Sequence, residues 1–293
     1  MGSGVEGVDE EKFILPTTNN QQPTTNNQQP TTNNQQPTTN YQLPTTNYQL
    51  TTNSKMWLKA TSDITGIKLL PNEVHVWREN LDNVKPLLED LTKILSEDEL
   101  VRANRFHFEQ HRQRFIAARG ILRNILGGYL NIEPSKIKFG YEARGKPFLE
   151  QNFNENKLSF NVSHSQNFAL YAVGLDNSIG VDLESISSTT EVVSLAQRFF
   201  SPSEFAVIES APQEQQHQLF FRYWTCKEAY LKATGTGLKD LDKIEISLTA
   251  QSAKLNIPNS DEWSLHEIKP FANCAATVAV KGRDLQFKYW DYA

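Results

Sequence analysis

Two acidic side chains stand two residues apart in Gly180-Val181-Asp182-Leu183-Glu184. On a β-strand, side chains alternate between faces, so Asp182 and Glu184 share one face and Val181 and Leu183 the other. Their Cα atoms are then roughly 6.5 Å apart, a spacing from which two carboxylates converge on one cation. Hard oxygen ligands suit Mg²⁺, which takes one or two carboxylates together with waters and substrate phosphates. The plain reading of the same residues is an edge strand with two solvated acids. A second cluster, Trp224-Thr225-Cys226-Lys227-Glu228-Ala229-Tyr230-Leu231-Lys232, spaces Trp224, Glu228 and Lys232 four residues apart, on one stripe of a helix. A Glu and a Lys at that spacing are, alone, an ordinary helix ion pair. Beside Asp182 and Glu184, the Glu offers a third carboxylate.

A third cluster is basic. From Arg102 to Lys146, ten Lys and Arg stand against three Glu, in a protein whose net charge is −5. Such a local excess attracts a polyanionic small molecule, although most of these side chains taken singly read as a solvated face. Gly145-Lys146-Pro147 sets a lysine at a tight turn, where glycine lets a ligand approach the backbone. The fourth cluster, Phe160-Asn161-Val162-Ser163-His164-Ser165, is a strand ending in hydroxyls with one histidine. Ser163 and His164 are candidate donors to phosphate, while a lone histidine is more often structural. No G-x-S-x-G accompanies them, which argues against a serine hydrolase, and the histidines lack zinc-site spacing.

These clusters need elements to hold them. EVHVW at 73–77 alternates like a strand, and 84–104 reads as two short helices, the second opened by Ser96 with Glu99 three residues on, a capping-box pattern. Phe115, Ala118, Leu122, Ile125 and Tyr129 fall at helical spacing within 108–130. Strands are expected at 137–141, 158–162, 168–174 and 179–184, helices at 190–200, 202–210 and 213–234, and strands at 244–249, 263–268, 274–281 and 286–290. Strand–helix–strand order thus occurs twice.

The 293 residues include two cysteines, Cys226 and Cys274, too few for a disulfide framework. There is no apolar run of 18 residues, and the first residues, MGSGVEGVDEEKF, lack the apolar core of a signal peptide. A cytoplasmic protein that binds neither nucleic acid nor membrane is expected. Phe13 to Ser54 carries no charge and repeats PTTNNQQ at 16–22, 23–29 and 30–36, then PTTNYQL at 37–43 and 44–50. A proline in every unit and no apolar stripe predict a disordered tail. The nucleotide unit CCAACAA in tandem encodes Pro-Thr-Thr-Asn-Asn-Gln-Gln, so the tail reads as translated DNA repeat, with Met56 the expected start.

Taken in order, the Arg-rich helix around Arg112–Arg123, Gly145-Lys146-Pro147, Phe160 to Ser165, Gly180 to Glu184 and Trp224-x-x-Lys227-Glu228-Ala229-x-x-Lys232 resemble the 4′-phosphopantetheinyl transferase family. The likeness is to its monomeric, two-half type and spans about 57–290. It implies an α+β fold of two pseudo-symmetric α/β halves: a tail over 1–55, an N-terminal half over 56–175 and a C-terminal half over 176–293. It implies transfer of the phosphopantetheine arm of coenzyme A to a serine of an apo acyl or peptidyl carrier protein, as a holo-acyl-carrier-protein synthase. By resemblance, Mg²⁺ sits on Asp182, Glu184 and Glu228; Asp182, Glu228 and Lys232 are catalytic, Glu228 activating the carrier serine and Lys232 holding the diphosphate. Lys146, Ser163 and His164 match positions at the nucleotide end, joined by Arg102 and Arg114. Glu99 departs from the pattern, since some relatives carry a basic residue there. A monomer is expected, with the carrier docking near 185–205, where Phe199 and Phe200 supply apolar contact. Two other readings stand beside this one: a non-catalytic module that binds coenzyme A or a carrier, and a role for the polar tail as an interaction segment.

Overall fold

The chain is laid down as a sheet with a long helix, then a second sheet with a second long helix. A computed structural model describes residues 56–60, 64–151 and 157–292. The N-terminal repeat, and with it the expected disorder of the tail, lies outside the described residues. The first part begins with β1 (Leu58–Lys59) and β2 (Glu73–Asn80). The short helices α1 (Leu88–Lys93) and α2 (Glu97–Ala103) lead to the 22-residue α3 (Glu109–Leu130). A small hairpin, β3 (Phe139–Tyr141) and β4 (Pro147–Leu149), precedes the antiparallel pair β5 (Leu158–Ser165) and β6 (Phe168–Leu175). The second part opens on β7 (Ile179–Ser185), followed by α4 (Val192–Phe199), α5 (Pro202–Ser210) and α6 (Gln213–Thr234), again 22 residues. Then come the hairpin β8 (Ile246–Leu248) and β9 (Ala253–Leu255), β10 (Trp263–Ile268), β11 (Cys274–Lys281) and β12 (Gln286–Asp291).

Five strands form one sheet in the order β1-β12-β2-β6-β5, and three form another in the order β10-β11-β7. The last strand, β12, pairs parallel to β2, Tyr289 opposite Val76, so the end of the chain completes the sheet of the first part. Two-residue alternation then sorts the side chains into layers. Trp77 of β2 and Tyr171 and Val173 of β6 face Ile121, Leu122 and Ile125 of α3. Val74, Val76, Leu170 and Ala172 face the other way and meet Ile179, Val181, Leu183 and Val278 of the second sheet. Beyond that sheet, Phe220, Phe221 and Trp224 of α6 pack with Leu195 and Ile208 of α4 and α5. The fold is α+β, with the two sheets face to face and one long helix on each outer side. Strand β7, expected at 179–184, runs through the middle of this arrangement.

His75 is wholly buried in the first sheet. Its Nδ1 lies 2.6 Å from Tyr129 Oη and its Nε2 3.3 Å from Glu73 Oε2, while Lys288 Nζ holds the other oxygen of Glu73 at 2.6 Å. Burial pushes the imidazole pKa from 6.5 down to about 4, against the pull of Glu73. Between those values the unfolded chain binds a proton that the folded chain refuses, so stability falls as pH drops through this window. Urea unfolding should show a loss of about 2 kcal/mol between about pH 6.5 and pH 4.5 that a His75→Asn variant does not show. Equal losses in the two proteins would contradict the assignment.

Candidate active site

Strand β7 lies at an edge of its sheet, with β11 on one side, Asp182 opposite Thr277. Along the other edge, side chains of β5 meet the amides. Asn161 Oδ1 accepts from the Val181 N–H at 2.8 Å, Ser163 Oγ from Leu183 at 3.2 Å, and Ser165 Oγ from Ser185 at 3.1 Å. Both strands advance in steps of two, so three successive same-face side chains meet three successive same-edge amides. The two serines also turn their protons onto the acids. Ser163 Oγ donates to Asp182 Oδ1 at 3.1 Å, and Ser165 Oγ donates to Glu184 Oε2 at 2.9 Å.

Helix α6 closes the site from the opposite side. A Cβ on Gly180 would fall 2.1 Å from the Ala229 carbonyl oxygen and 2.5 Å from the Ala233 nitrogen, so only glycine lets the helix backbone rest on β7. That contact brings Lys232 to the strand. Its Nζ donates to Asp182 Oδ1 at 2.7 Å, to Ser163 Oγ at 3.1 Å and to the Val181 carbonyl at 3.2 Å. Ser163 thus accepts from an amide and an ammonium and donates to a carboxylate, the full capacity of one hydroxyl. Asp182 is 1% exposed and Lys232 27%. Burial pulls the Lys232 ammonium down, but Asp182, Glu228 and Glu184 outweigh it and hold the pKa above the ordinary lysine value.

Three carboxylates therefore share the field of one ammonium, a negative excess inside the protein. Asp182 Oδ2 is buried and has no hydrogen-bond partner among the described residues. A divalent cation fits that oxygen and that charge. Among the described residues, no three Asp, Glu, His or Cys side chains close on a common point as they stand. Mg²⁺ does not need such a cage, because waters and phosphate oxygens fill most of its octahedron.

The other residues singled out in the sequence have different neighbours. Lys146 Nζ donates to the carbonyl of Lys232 at 2.7 Å. His164 alternates with Ser163 on β5 and is exposed on the opposite face. Arg114 makes a two-pronged bond to Asp82 at 3.0 and 2.7 Å, which holds that carboxyl below its usual range. Arg102 lies over the ring of Phe115, 5.5 Å from its centre. Glu99, 2% exposed, takes Arg119 at 2.9 Å and Arg123 at 2.7 Å. In α6, Trp224 is buried against Phe220, 5.7 Å between ring centres. Lys227, fully buried, pairs with Glu204 at 2.7 Å and serves the packing of α6 on α5. Phe200 is core, stacked on Phe220 at 5.2 Å, while Phe199 is half-buried. Of the two, only Phe199 has surface to offer a partner. The structure thus gathers Asp182, Glu184, Glu228, Lys232 and Ser163. Sequence reasoning did not give Asn161 and Ser165 their roles; the signal was the two-residue period Asn161, Ser163, Ser165. A cleft of about 580 Å³ between the end of β2 and the β10–β11 loop, lined by Arg78, Asn80, Lys269 and Phe271, contains none of these residues.

Comparison with known proteins covers both parts of the chain. Residues 178–279 match the 4′-phosphopantetheinyl transferase superfamily, and residues 79–175 match the N-terminal family of 4′-phosphopantetheinyl transferases. The chain is 54% identical over 237 residues to the 4′-phosphopantetheinyl transferase HetI of Nostoc sp., a match covering 80% of this chain and 98% of that protein. It is 27% identical over 190 residues to a 4′-phosphopantetheinyl transferase of Bacillus subtilis, covering 62% of this chain and 82% of that protein. It is 28% identical over 190 residues to the L-aminoadipate-semialdehyde dehydrogenase-phosphopantetheinyl transferase of Xenopus laevis, covering 58% and 63%.

Asn161 offers a direct test of the strand junction. Asn161→Ala leaves the buried Val181 amide without its acceptor, which costs about 1–3 kcal/mol. Denaturant unfolding should register that loss, and an unchanged midpoint would show that β7 does not depend on β5 for this bond.

Proposed function

This chain belongs to the 4′-phosphopantetheinyl transferase family, and we propose that it transfers the phosphopantetheine arm of coenzyme A to a serine of an apo acyl or peptidyl carrier protein. In that reaction the carrier serine Oγ bonds to the phosphorus of the phosphopantetheine phosphate. The bond from that phosphorus to the bridging oxygen breaks, and adenosine 3′,5′-bisphosphate leaves. The observation that carries the reading is the pair of buried Asp182 and half-buried Lys232 with Glu184 and Glu228 around it.

Mg²⁺ is the proposed cofactor, held by Asp182, Glu184 and Glu228, and when bound it supplies positive charge to the diphosphate. The protein's own groups do the rest. Lys232 stays protonated at neutral pH and presents its ammonium to the diphosphate oxygens. Ser163 and Ser165 fix the rotamers of Asp182 and Glu184. Glu228, one helical turn before Lys232, accepts the proton of the carrier serine. His164, with Arg102 and Arg114, is proposed for the nucleotide end; the excess of Lys and Arg between Arg102 and Lys146 draws the polyanion there. The two sheets bury their facing surfaces inside one chain, which favours a working monomer, and the cytoplasm is the proposed location. The carrier docks over the second part near 185–205, with Phe199 as the apolar contact.

The test is incubation of the protein with labelled coenzyme A, Mg²⁺ and a panel of apo carriers. Label should move to a carrier as adenosine bisphosphate appears. Asp182→Ala should cut turnover by roughly two to three decades, the scale for losing a charge-stabilising group, while the fold survives. Near-normal transfer by that variant would sink the site. Binding without release of adenosine bisphosphate would make the protein a coenzyme A or carrier-binding module. His164→Ala should raise KM for coenzyme A more than it lowers kcat, as loss of uniform binding does. Dephospho-coenzyme A, lacking the 3′-phosphate, should be indifferent to it, and an equal effect on both would remove the 3′-phosphate role.

A further inference from the structure

The turn between β3 and β4 belongs to the first part, yet it lies on the end of α6. Lys146 Nζ donates to the Lys232 carbonyl at 2.7 Å, with the carbonyls of Ile179 and Ala233 at 3.3 and 3.4 Å. Lys232 and Ala233 stand in the last turn of α6, where carbonyls have no amide four residues further along the helix. The amides of Gly235 and Thr236 both go to the Leu231 carbonyl. Lys146 therefore serves carbonyls that the helix does not satisfy, at the end where its dipole favours a cation. The loop leaving α6 is shaped to receive this turn. Gly237 has φ 75°, and a Cβ there would come 2.4 Å from the Arg144 guanidinium.

The carbonyls that Lys146 joins flank the reactive pair. One belongs to Lys232, whose ammonium meets Asp182 at 2.7 Å. Another belongs to Ile179, next to the glycine on which α6 rests. We infer that Lys146 is a positioning residue for Lys232: it clamps the last turn of α6 to the start of β7 and so sets the reach of the Lys232 ammonium to Asp182. This rests on the transferase reading and gives Lys146 a different task from the nucleotide contact implied by resemblance. Burial lowers the Lys146 pKa, partly offset by Glu142.

The test uses the full chain with coenzyme A, Mg²⁺ and an apo carrier. Lys146→Ala should lower kcat roughly 10- to 100-fold, the scale for a catalytic group displaced by about an ångström. KM for coenzyme A should stay within about twofold, since the bound nucleotide loses no contact. Lys146→Arg, which still offers N–H donors to the carbonyls, should recover most of kcat. Amide hydrogen exchange over 228–236 should quicken in Lys146→Ala and return toward the parent in Lys146→Arg. A higher KM at unchanged kcat would overturn the inference in favour of a nucleotide ligand. A lower melting temperature with both constants unchanged would overturn it in favour of a purely structural contact. If the parent protein modifies no carrier, the transferase reading fails on its own. The exchange measurement then decides the clamp, quickened exchange supporting it and unchanged exchange overturning it.

Discussion

The free edge of β7 governs this structure. A buried edge strand carries amides that need acceptors, and leaving each one bare costs about 1–3 kcal/mol. Here β11 serves one edge, and Asn161, Ser163 and Ser165 of β5 serve the other. The match works only in one register. A slip by one residue would turn Val181 and Leu183 out of the core between the sheets and bring Asp182 and Glu184 into it. The bonds that join the two parts thus also decide which way the two acids face.

The acids then depend on what α6 brings. Gly180 lets the helix backbone settle against the strand, and the spacing of four residues puts Glu228 and Lys232 on the turns that overlie Asp182. The surroundings are tied by further buried charges. Lys227 pairs with Glu204 beneath α6, and Arg222 pairs with Glu267 at 2.7 Å on β10. Removing one partner of such a pair strands the other in a medium that solvates it poorly. α6 is therefore fixed along its length, and Lys146 completes that fixation at its last turn.

The long helices and the acidic strand were legible in the sequence, because each carries a strong local signal. Ser96 and Glu99 open α2 with the reciprocal bond expected of a capping box, Ser96 N–H to Glu99 at 3.0 Å. α3 ends at Asn131 and α6 at Gly235, both left-handed. What escaped was non-local. The strands β1, β4 and β9 are two or three residues long and owe their existence to partners distant in sequence or across a turn. The alliance of β12 with β2 joins opposite ends of the described chain. Charge counting found the basic excess but not its partners. Glu99 holds Arg119 and Arg123, and Asp82 holds Arg114, so much of that excess is internal to the fold. Ser165 looked like one hydroxyl in a run, and only the register of β5 against β7 assigns it to Glu184.

On the proposed reading, the hydroxyls of β5 hold the acids of β7 in an arrangement that would take a divalent cation. Calorimetric titration of Mg²⁺ into the protein with coenzyme A bound tests it most directly, comparing the parent with Ser165→Ala. Loss of the bond that orients Glu184 should weaken Mg²⁺ roughly 10- to 100-fold, as removal of a ligand-orienting partner does, in a protein that remains folded. Equal Mg²⁺ affinity in the two proteins would contradict the account.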